Sequence, residues 1–245
     1  MDVRDKLWHT LASVRARLMP GGEARRATSY WAGLAEYHLT NDADDTALAR
    51  SRWLADVVIP PLDIESLLEI GTNSGRNLQI IRQSHPTMRL CGIDVNDRAI
   101  AYARSKGLDV EFRVTDANRW EQQPLSFDAI LTMSVLDHIP DRAVAILAAN
   151  MVATARRHII AVELWDGGQG VRGPYKYSRN TEQLFASLGV RTLHWDESPG
   201  QYDLAKSKLW AFVGDCSAVT IEKVGYDVGA GRPVLRGAEN ERAAP

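Results

Sequence analysis

The stretch Leu67-Leu68-Glu69-Ile70-Gly71-Thr72-Asn73-Ser74-Gly75-Arg76-Asn77 decides how this chain folds. An apolar run ends in a carboxylate, a Gly-X-X-X-Gly turn follows, and a helical pattern begins after it. That order of strand, turn and helix starts an α/β unit whose turn offers backbone N–H groups to a small ligand. Glu69 constrains the ligand. A dinucleotide rests its pyrophosphate at the helix N-terminus, where a neighbouring negative charge is unfavourable. A ligand carrying positive charge gains from an acid at that place.

Working outward, the chain alternates strand and helix patterns from residue 64 to 214. Strands are predicted at 64–70, 89–94, 110–115, 127–133 and 158–163, and helices at 76–84, 97–106, 141–155 and 181–188. Residues 127–133 are nearly all apolar, as a central strand buried on both faces requires. Asp141 and Thr181 are read as helix N-caps, and Gly189 as the stop after the last helix. Two further strands, 190–195 and 209–213, are separated by a loop without helical pattern. Such a pair runs antiparallel or lies apart. Alternating βα units of this kind form a doubly wound α/β sheet.

Three segments result. Residues 1–60 are helical in pattern and form a cover, Pro60-Pro61 opens the α/β core at 61–215, and 216–245 is a Gly-, Arg-, Ala- and Glu-rich extension. Within that extension a short strand is expected at 219–224, with the tail beyond it mobile. Val3, Leu7, Leu11, Val14 and Leu18 make an apolar stripe at helical spacing. Asp2 and Asp5 among its basic residues favour packing on the domain, or dimerisation, over a membrane surface.

The composition narrows the class. The 245 residues carry 29 Lys and Arg against 31 Asp and Glu, a net charge of −2, which argues against a protein built to grip nucleic-acid phosphates. Two distant cysteines, Cys91 and Cys216, make no disulfide framework, so a cytoplasmic setting is expected. No apolar run reaches the length of a membrane span, and the N-terminus has no apolar core of a secretory signal.

Three acids follow successive strands: Glu69, Asp94 and Asp116, at intervals of 25 and 22 residues. Ligands of open α/β sheets bind outside the carboxyl ends of the strands, so the three acids are expected to line one crevice. There Asp94 suits both hydroxyls of a ribose, Asp116 with the backbone of Ala117 suits an adenine, and Glu69 faces a cationic end. S-adenosylmethionine, with its sulfonium and amino group, answers all three. The dinucleotide alternative requires glycines at 73 and 76, where Asn73 and Arg76 stand. Each acid alone could equally cap a helix or stay solvated; the combination with the glycine turn is what is specific.

With these residues in place, the chain resembles the class I S-adenosylmethionine-dependent methyltransferases. Residues Glu69 to Gly75 are similar to their first motif, and Gly92-Ile93-Asp94-Val95 to the second. Thr115-Asp116-Ala117 is similar to the third, and the run from Phe127 to Ile139 to the fourth. The resemblance covers about 64–214. It implies a seven-stranded, mainly parallel Rossmann-like sheet with an antiparallel last strand. It also implies cofactor contacts from Glu69, Gly71, Thr72, Asn73, Gly75, Asp94, Val95, Asp116, Ala117 and Ser134. Asn73 departs from the commonest first motif, which has glycine there; asparagine tolerates the left-handed backbone better than other side chains. The Asn73-Ser74-Gly75-Arg76-Asn77 form, with Tyr30-Trp31 and Asn41-Asp42 upstream, is similar to small-molecule methylases such as those of pseudaminic acid and other sugar biosynthesis.

The acceptor side has weaker signals. A base is needed only where the acceptor holds a proton at neutral pH. His138, after the fourth strand, is the candidate base and Asp137 its orienting acid. The competing reading makes His138 a structural residue of the helix start. Tyr30, Trp31, Tyr37 and Tyr175 are candidate substrate contacts, against a role in simple packing. The glycine-rich loop after Glu163-Leu164-Trp165-Asp166 is either a lid or an ordinary connection. No histidine has metal-ligand spacing, so no metal is expected. The resulting expectation is methyl transfer to oxygen or nitrogen of a small polar, sugar-like acceptor. The alternatives are an enzyme acting on RNA or protein, and a non-catalytic module that binds the adenosyl cofactor.

Overall fold

The computed structural model describes residues 22–117, 126–168, 170–173, 175–198, 208–219, 223–227 and 232–236. The apolar stripe Val3 to Leu18 and the end of the C-terminal tail lie outside the described residues.

Seven strands form the central sheet: β1 (Ser66–Ile70), β2 (Arg89–Asp94), β3 (Glu111–Val114), β4 (Phe127–Met133), β5 (Ala155–Trp165), β8 (Arg191–Glu197) and β9 (Lys208–Asp215). Their spatial order is β3-β2-β1-β4-β5-β9-β8. β1, β2, β3, β4 and β5 pair in parallel, and β9 runs antiparallel to both β5 and β8. This is the mainly parallel seven-stranded sheet expected, with the antiparallel strand inserted between its neighbours. The order reverses between β1 and β4, and there the first helices leave in opposite directions and open a crevice above the strand ends.

The strands are apolar on both faces because both are covered. Leu67, Leu131 and Ile160 belong to one core with Leu78 and Ile81 of α4 (Arg76–Ser84) and Ile100 of α5 (Asp97–Ser105). Leu68, Ile130 and Ile159 belong to the other, with Leu147 and Met151 of α6 (Asp141–Thr154) and Phe185 of α7 (Thr181–Ala186). Glu69, on the opposite face of the pleat from Leu68 and Ile70, is a polar residue within β1 and is equally buried.

Two helix starts differ from expectation. Pro140 takes the cap position of α6, which makes Asp141 its first helical residue. The Asp141 carboxylate pairs with Arg179 at 2.7 Å instead of capping. In α7 the cap is Asn180, whose side chain accepts from the Gln183 amide, because its backbone is extended and its short amide reaches the open N–H. The loop after β5 is also more ordered than its glycines suggested: β6 (Gly170–Gly173) and β7 (Lys176–Ser178) form a short hairpin.

Ahead of the core, α1 (Glu23–Ala32), α2 (Tyr37–Asp42) and α3 (Asp45–Trp53) form the N-terminal cover, and α3 continues into a π-helical turn, Leu54–Val58. Pro60 and Pro61 lie in the 3-10 turn that leads into β1. Strands β10 (Lys223–Asp227) and β11 (Arg232–Arg236) pair as an antiparallel hairpin in the C-terminal extension.

Gly71 is where the fold tolerates least change. Its φ is +75°, and a Cβ built on it would lie 2.2 Å from Cγ2 of Val135. Gly71→Ala is expected to destabilise the fold by roughly 2–4 kcal/mol, the sum of left-handed strain and overpacking, read from urea unfolding midpoints at unchanged slope.

Candidate active site

The glycine turn is shaped by three residues with positive φ: Gly71 at +75°, Asn73 at +50° and Gly75 at +73°. The Gly71 and Thr72 amides both donate to the Ile93 carbonyl at the end of β2, which fixes the turn between the two strands. Gly75 stands at the N-terminus of α4, where a Cβ built on it would lie 2.8 Å from Cζ of Phe112.

Glu69 supports this turn from beneath. Its Oε2 accepts from Thr72 Oγ1 at 2.7 Å and its Oε1 from Asn77 Nδ2 at 2.6 Å. Asn77 in turn accepts from Ser51 of α3 at 2.6 Å. Burial pushes the Glu69 carboxyl up to about 7, against these hydrogen bonds. Glu69, Thr72 and Gly75, expected to contact a cofactor, are therefore absent from the cleft wall, since their polar or backbone groups are used to hold the turn.

The cleft above the turn holds about 760 Å³ of empty space, its mouth included. Gly71 and Asn73 line it from the first turn, Asp94 and Val95 from the end of β2, Asp116 and Ala117 after β3, and Ser134 after β4. Asp94 is fixed by two backbone amides, Asn73 N–H at 2.8 Å and Asn96 N–H at 2.9 Å. Burial raises its carboxyl from the ordinary range. Asp116 accepts from Thr28 Oγ1 of α1 at 3.1 Å.

Helix α1 roofs the cleft. Ala27, Thr28 and Trp31 line it, Ala27 and Thr28 lying about one helical turn before Trp31. Asn96 does two jobs here. Its Oδ1 caps α5, and its Nδ2 donates to the carbonyls of Trp31 and Leu34, closing the open C-terminus of α1. At the other end of α1, Tyr177 of the β6–β7 hairpin donates to Glu23. The cover is also tied to the turn: Asp42 accepts from Ser74 at 2.9 Å, Tyr102 at 3.1 Å and Lys106 at 2.8 Å.

The opposite wall is the turn after β4. Ser134 has φ +52°, and Val135 and His138 line the cleft beside it. Two buried side chains hold this turn. Glu163 Oε2, from β5, accepts from the amides of Val135 at 3.0 Å and Asp137 at 3.3 Å. Arg179 donates to the carbonyls of Leu136 and Ile139, the latter at 2.8 Å. Burial and the nearby Asp137 push the Glu163 carboxyl up to about 8.

His138 carries its proton on Nδ1, because that atom lies 2.9 Å from the Tyr175 carbonyl, which can only accept. Its Nε2 is 3.5 Å from Asp137 Oδ1. Asp137 itself is buried and does not line the cleft. Trp31 packs its ring 4.2 Å from the His138 ring, and Tyr37 lies 5.8 Å beyond Trp31. Trp31, Tyr37 and His138 thus reach the cleft, whereas Tyr30 and Tyr175 pack behind them with ring centroids 5.6 Å apart.

Residues 67–159 match the family model described as a methyltransferase domain. The sheet around them has the fold of methyltransferases of known structure. A trans-aconitate 2-methyltransferase of Escherichia coli O7:K1 is 28% identical over 123 residues, which cover 49% of this chain and 48% of that protein. The chain thus spans about half the length of the curated relatives it matches at this level. Among solved structures, the N-methyltransferase NodS of Bradyrhizobium japonicum WM9 in complex with S-adenosylhomocysteine superposes with TM-score 0.61 and 19% identity, covering 79% of this chain and 98% of that one. Magnesium protoporphyrin IX methyltransferase of Synechocystis PCC 6803 with bound S-adenosylmethionine gives 0.57 and 13%, covering 78% and 96%. At these identities the likeness is one of fold.

Thr28, Asn96, Glu163 and Arg179 were not singled out in the sequence for the roles they have here. Asn96 had a usable signal, an Asx residue directly before a helical pattern. Thr28 shared the face of Trp31 by helical spacing. Glu163 and Arg179 had none, because their partners are backbone groups 26 to 43 residues away. Among the described residues, no cluster of three His, Cys, Asp or Glu is placed to hold a metal, and no helix is long and apolar enough to cross a membrane.

The two raised carboxyls give a pH test. Glu69 and Glu163 keep their protons to higher pH when folded than at their unfolded value near 4.5. Between about pH 4.5 and 8 the folded chain therefore binds more protons, and stability falls as pH rises through that window. Thermal or urea unfolding across this range should show the decline. Glu69→Gln should flatten its lower part, up to about pH 7, where Glu69 contributes at most about 3 kcal/mol.

Proposed function

We propose that this chain transfers a methyl group from S-adenosylmethionine to an oxygen or nitrogen of a small polar metabolite. The observation that carries the reading is the convergence of the Gly71–Gly75 turn, Asp94 and Asp116 on one cleft at the sheet's reversal point.

The residues present fit the cofactor. Asp94 Oδ2 accepts from the Asn73 amide and Oδ1 from the Asn96 amide, and the remaining lone pairs suit the hydroxyls of a ribose. Asp116 and the Ala117 backbone stand at the next strand end for an adenine edge. Val95, beside Asp94, and Ile93 supply the apolar floor for a purine face. When bound, S-adenosylmethionine supplies a methyl activated by its sulfonium, and the protein's task is orientation.

On the acceptor side the aromatic wall of Trp31 and Tyr37 suits the face of a sugar-like or other flat metabolite. The occurrence of a trans-aconitate methyltransferase among the relatives supports a small-molecule acceptor. Where that acceptor carries a proton, His138 takes it at Nε2, because Nδ1 already donates to Tyr175 and Asp137 Oδ1 lies beside Nε2 to stabilise the resulting charge. Ser134 and Val135, fixed by Glu163 and Arg179, hold the wall against which the acceptor is oriented.

Calorimetry with S-adenosylhomocysteine tests the cofactor half. The wild-type chain is expected to bind one equivalent, and Asp94→Asn to bind roughly 10- to 100-fold more weakly. Wild-type affinity in that variant would place the cofactor elsewhere. For the acceptor half, a screen of hydroxylated and aminated metabolites with methyl-labelled donor identifies a substrate. On it His138→Gln should lower kcat by roughly 10²- to 10⁴-fold while leaving the affinity for S-adenosylhomocysteine within about twofold.

A further inference from the structure

Helix α1 crosses the cleft from one bank to the other. At its C-terminal end the carbonyls of Trp31 and Leu34 accept from Asn96, which follows β2. In its middle Thr28 donates to Asp116, which follows β3. At its N-terminal end Glu23 accepts from Tyr177, in the hairpin that follows β5. The strand order β3-β2-β1-β4-β5 sets these anchors on opposite sides of the reversal point, and Ala27, Thr28 and Trp31 line the cleft between them.

Polar ties matter more to α1 than to the helices of the core. Of its ten residues only Ala27 is buried, whereas α6 buries Val144, Leu147, Ala148, Met151 and Val152. An element with few buried apolar contacts opens more readily than the core beneath it. The bank on the hairpin side is firm. The Tyr177 ring is buried, with the Arg179 guanidinium 4.9 Å from its centre, and Arg179 is itself bonded to the turn after β4. Burial and the neighbouring Glu23 carboxylate hold the Tyr177 phenol above its ordinary range, so it keeps its proton and donates.

A ligand resting on Asp94 and Asp116 lies beneath this helix. To enter or leave, it needs one end of α1 to come off its bank. Two hydrogen bonds from Asn96 hold the C-terminal end, and the Tyr177 bond holds the N-terminal end. Resting on the adenosyl-cofactor reading above, we propose that α1 is a lid that pivots at its Asn96-bound end, and that the Tyr177–Glu23 hydrogen bond is the clasp that sets how fast the cofactor enters and leaves. Tyr177 does not line the cleft and acts only through α1.

Stopped-flow fluorescence with S-adenosylhomocysteine tests the clasp. Tyr177→Phe keeps the ring and removes the donor. It should raise both the association and the dissociation rate by roughly five- to twentyfold and leave Kd within about threefold. Glu23→Gln retains an acceptor for the phenol and should stay within about threefold of the wild-type rates. In a Glu23→Ala background, adding Tyr177→Phe should change neither rate by more than about twofold, because the bond is already lost. Hydrogen exchange supplies a readout without ligand: in Tyr177→Phe the amides of residues 26–32 should exchange faster by a similar factor, with those of Phe127–Met133 unchanged.

Wild-type rates in Tyr177→Phe would overturn the proposal. So would faster exchange in Phe127–Met133 as well, which marks general loosening, or equal effects of Tyr177→Phe in the wild-type and Glu23→Ala backgrounds. Failure of the cofactor reading looks different: the wild-type chain would bind no S-adenosylhomocysteine, while exchange in α1 would still report whether Tyr177 fastens it.

Discussion

A carboxylate in the dry interior needs donors, and Glu69 finds both of its donors in the segment that follows it. Thr72 and Asn77 reach back to it from the turn and from the first coil of α4. This forces the chain to leave β1, pass over the carboxylate, and enter the helix with the turn's outer face toward the cleft. Losing either donor would leave a buried charge or a buried unsatisfied oxygen, both costly. The interaction therefore sets the path of residues 70–77 more stringently than the local sequence preferences do. Asn77 passes the restraint on to Ser51, which ties the helical cover to the same point.

The second wall of the site is fixed by the same logic with opposite polarity on its two sides. The turn after β4 leaves backbone N–H groups pointing one way and carbonyls the other. Glu163 meets the former and Arg179 the latter. Neither residue reaches the cleft, yet between them they set where Ser134, Val135 and His138 stand. Val135 then packs on Gly71, so the two walls touch through a contact that only a glycine allows. The cleft is a joint product of two rigid turns. Helix α1 closes it from above through Trp31, Thr28 and the Asn96 bridge.

Much of the core was legible in the sequence because its signals are local and repeated. Boundaries of α4, β2 and β4 coincide with the hydrophobic periods read from the chain. The acids at 94 and 116 could be placed at strand ends, and strand ends of a doubly wound sheet face one crevice. The Asp141 and Thr181 caps were misplaced by a single residue each, since neighbouring polar residues compete for the cap on small differences in backbone angle. The hairpin at 170–178 was not legible, because glycine-rich sequence has too little side-chain pattern to show period-two alternation.

What the sequence by itself determined is the order of the strands' functional ends: a glycine turn, then acids at regular intervals, on a mainly parallel sheet. Those features arise from backbone geometry and short-range patterns that any one segment can display. Tertiary structure alone decided where each carboxylate lies and which donors it meets. Glu69 looked like a ligand by its position and became a buried brace, because its neighbours along the chain supply donors only after the turn has closed over it. Asn73 looked like a tolerated departure from glycine, and the fold set its backbone amide on the Asp94 carboxylate. The physical reason is the same for both. A polar group's role is fixed by which partners remain for it after folding, and those partners come from distant strands and helices that no local pattern names.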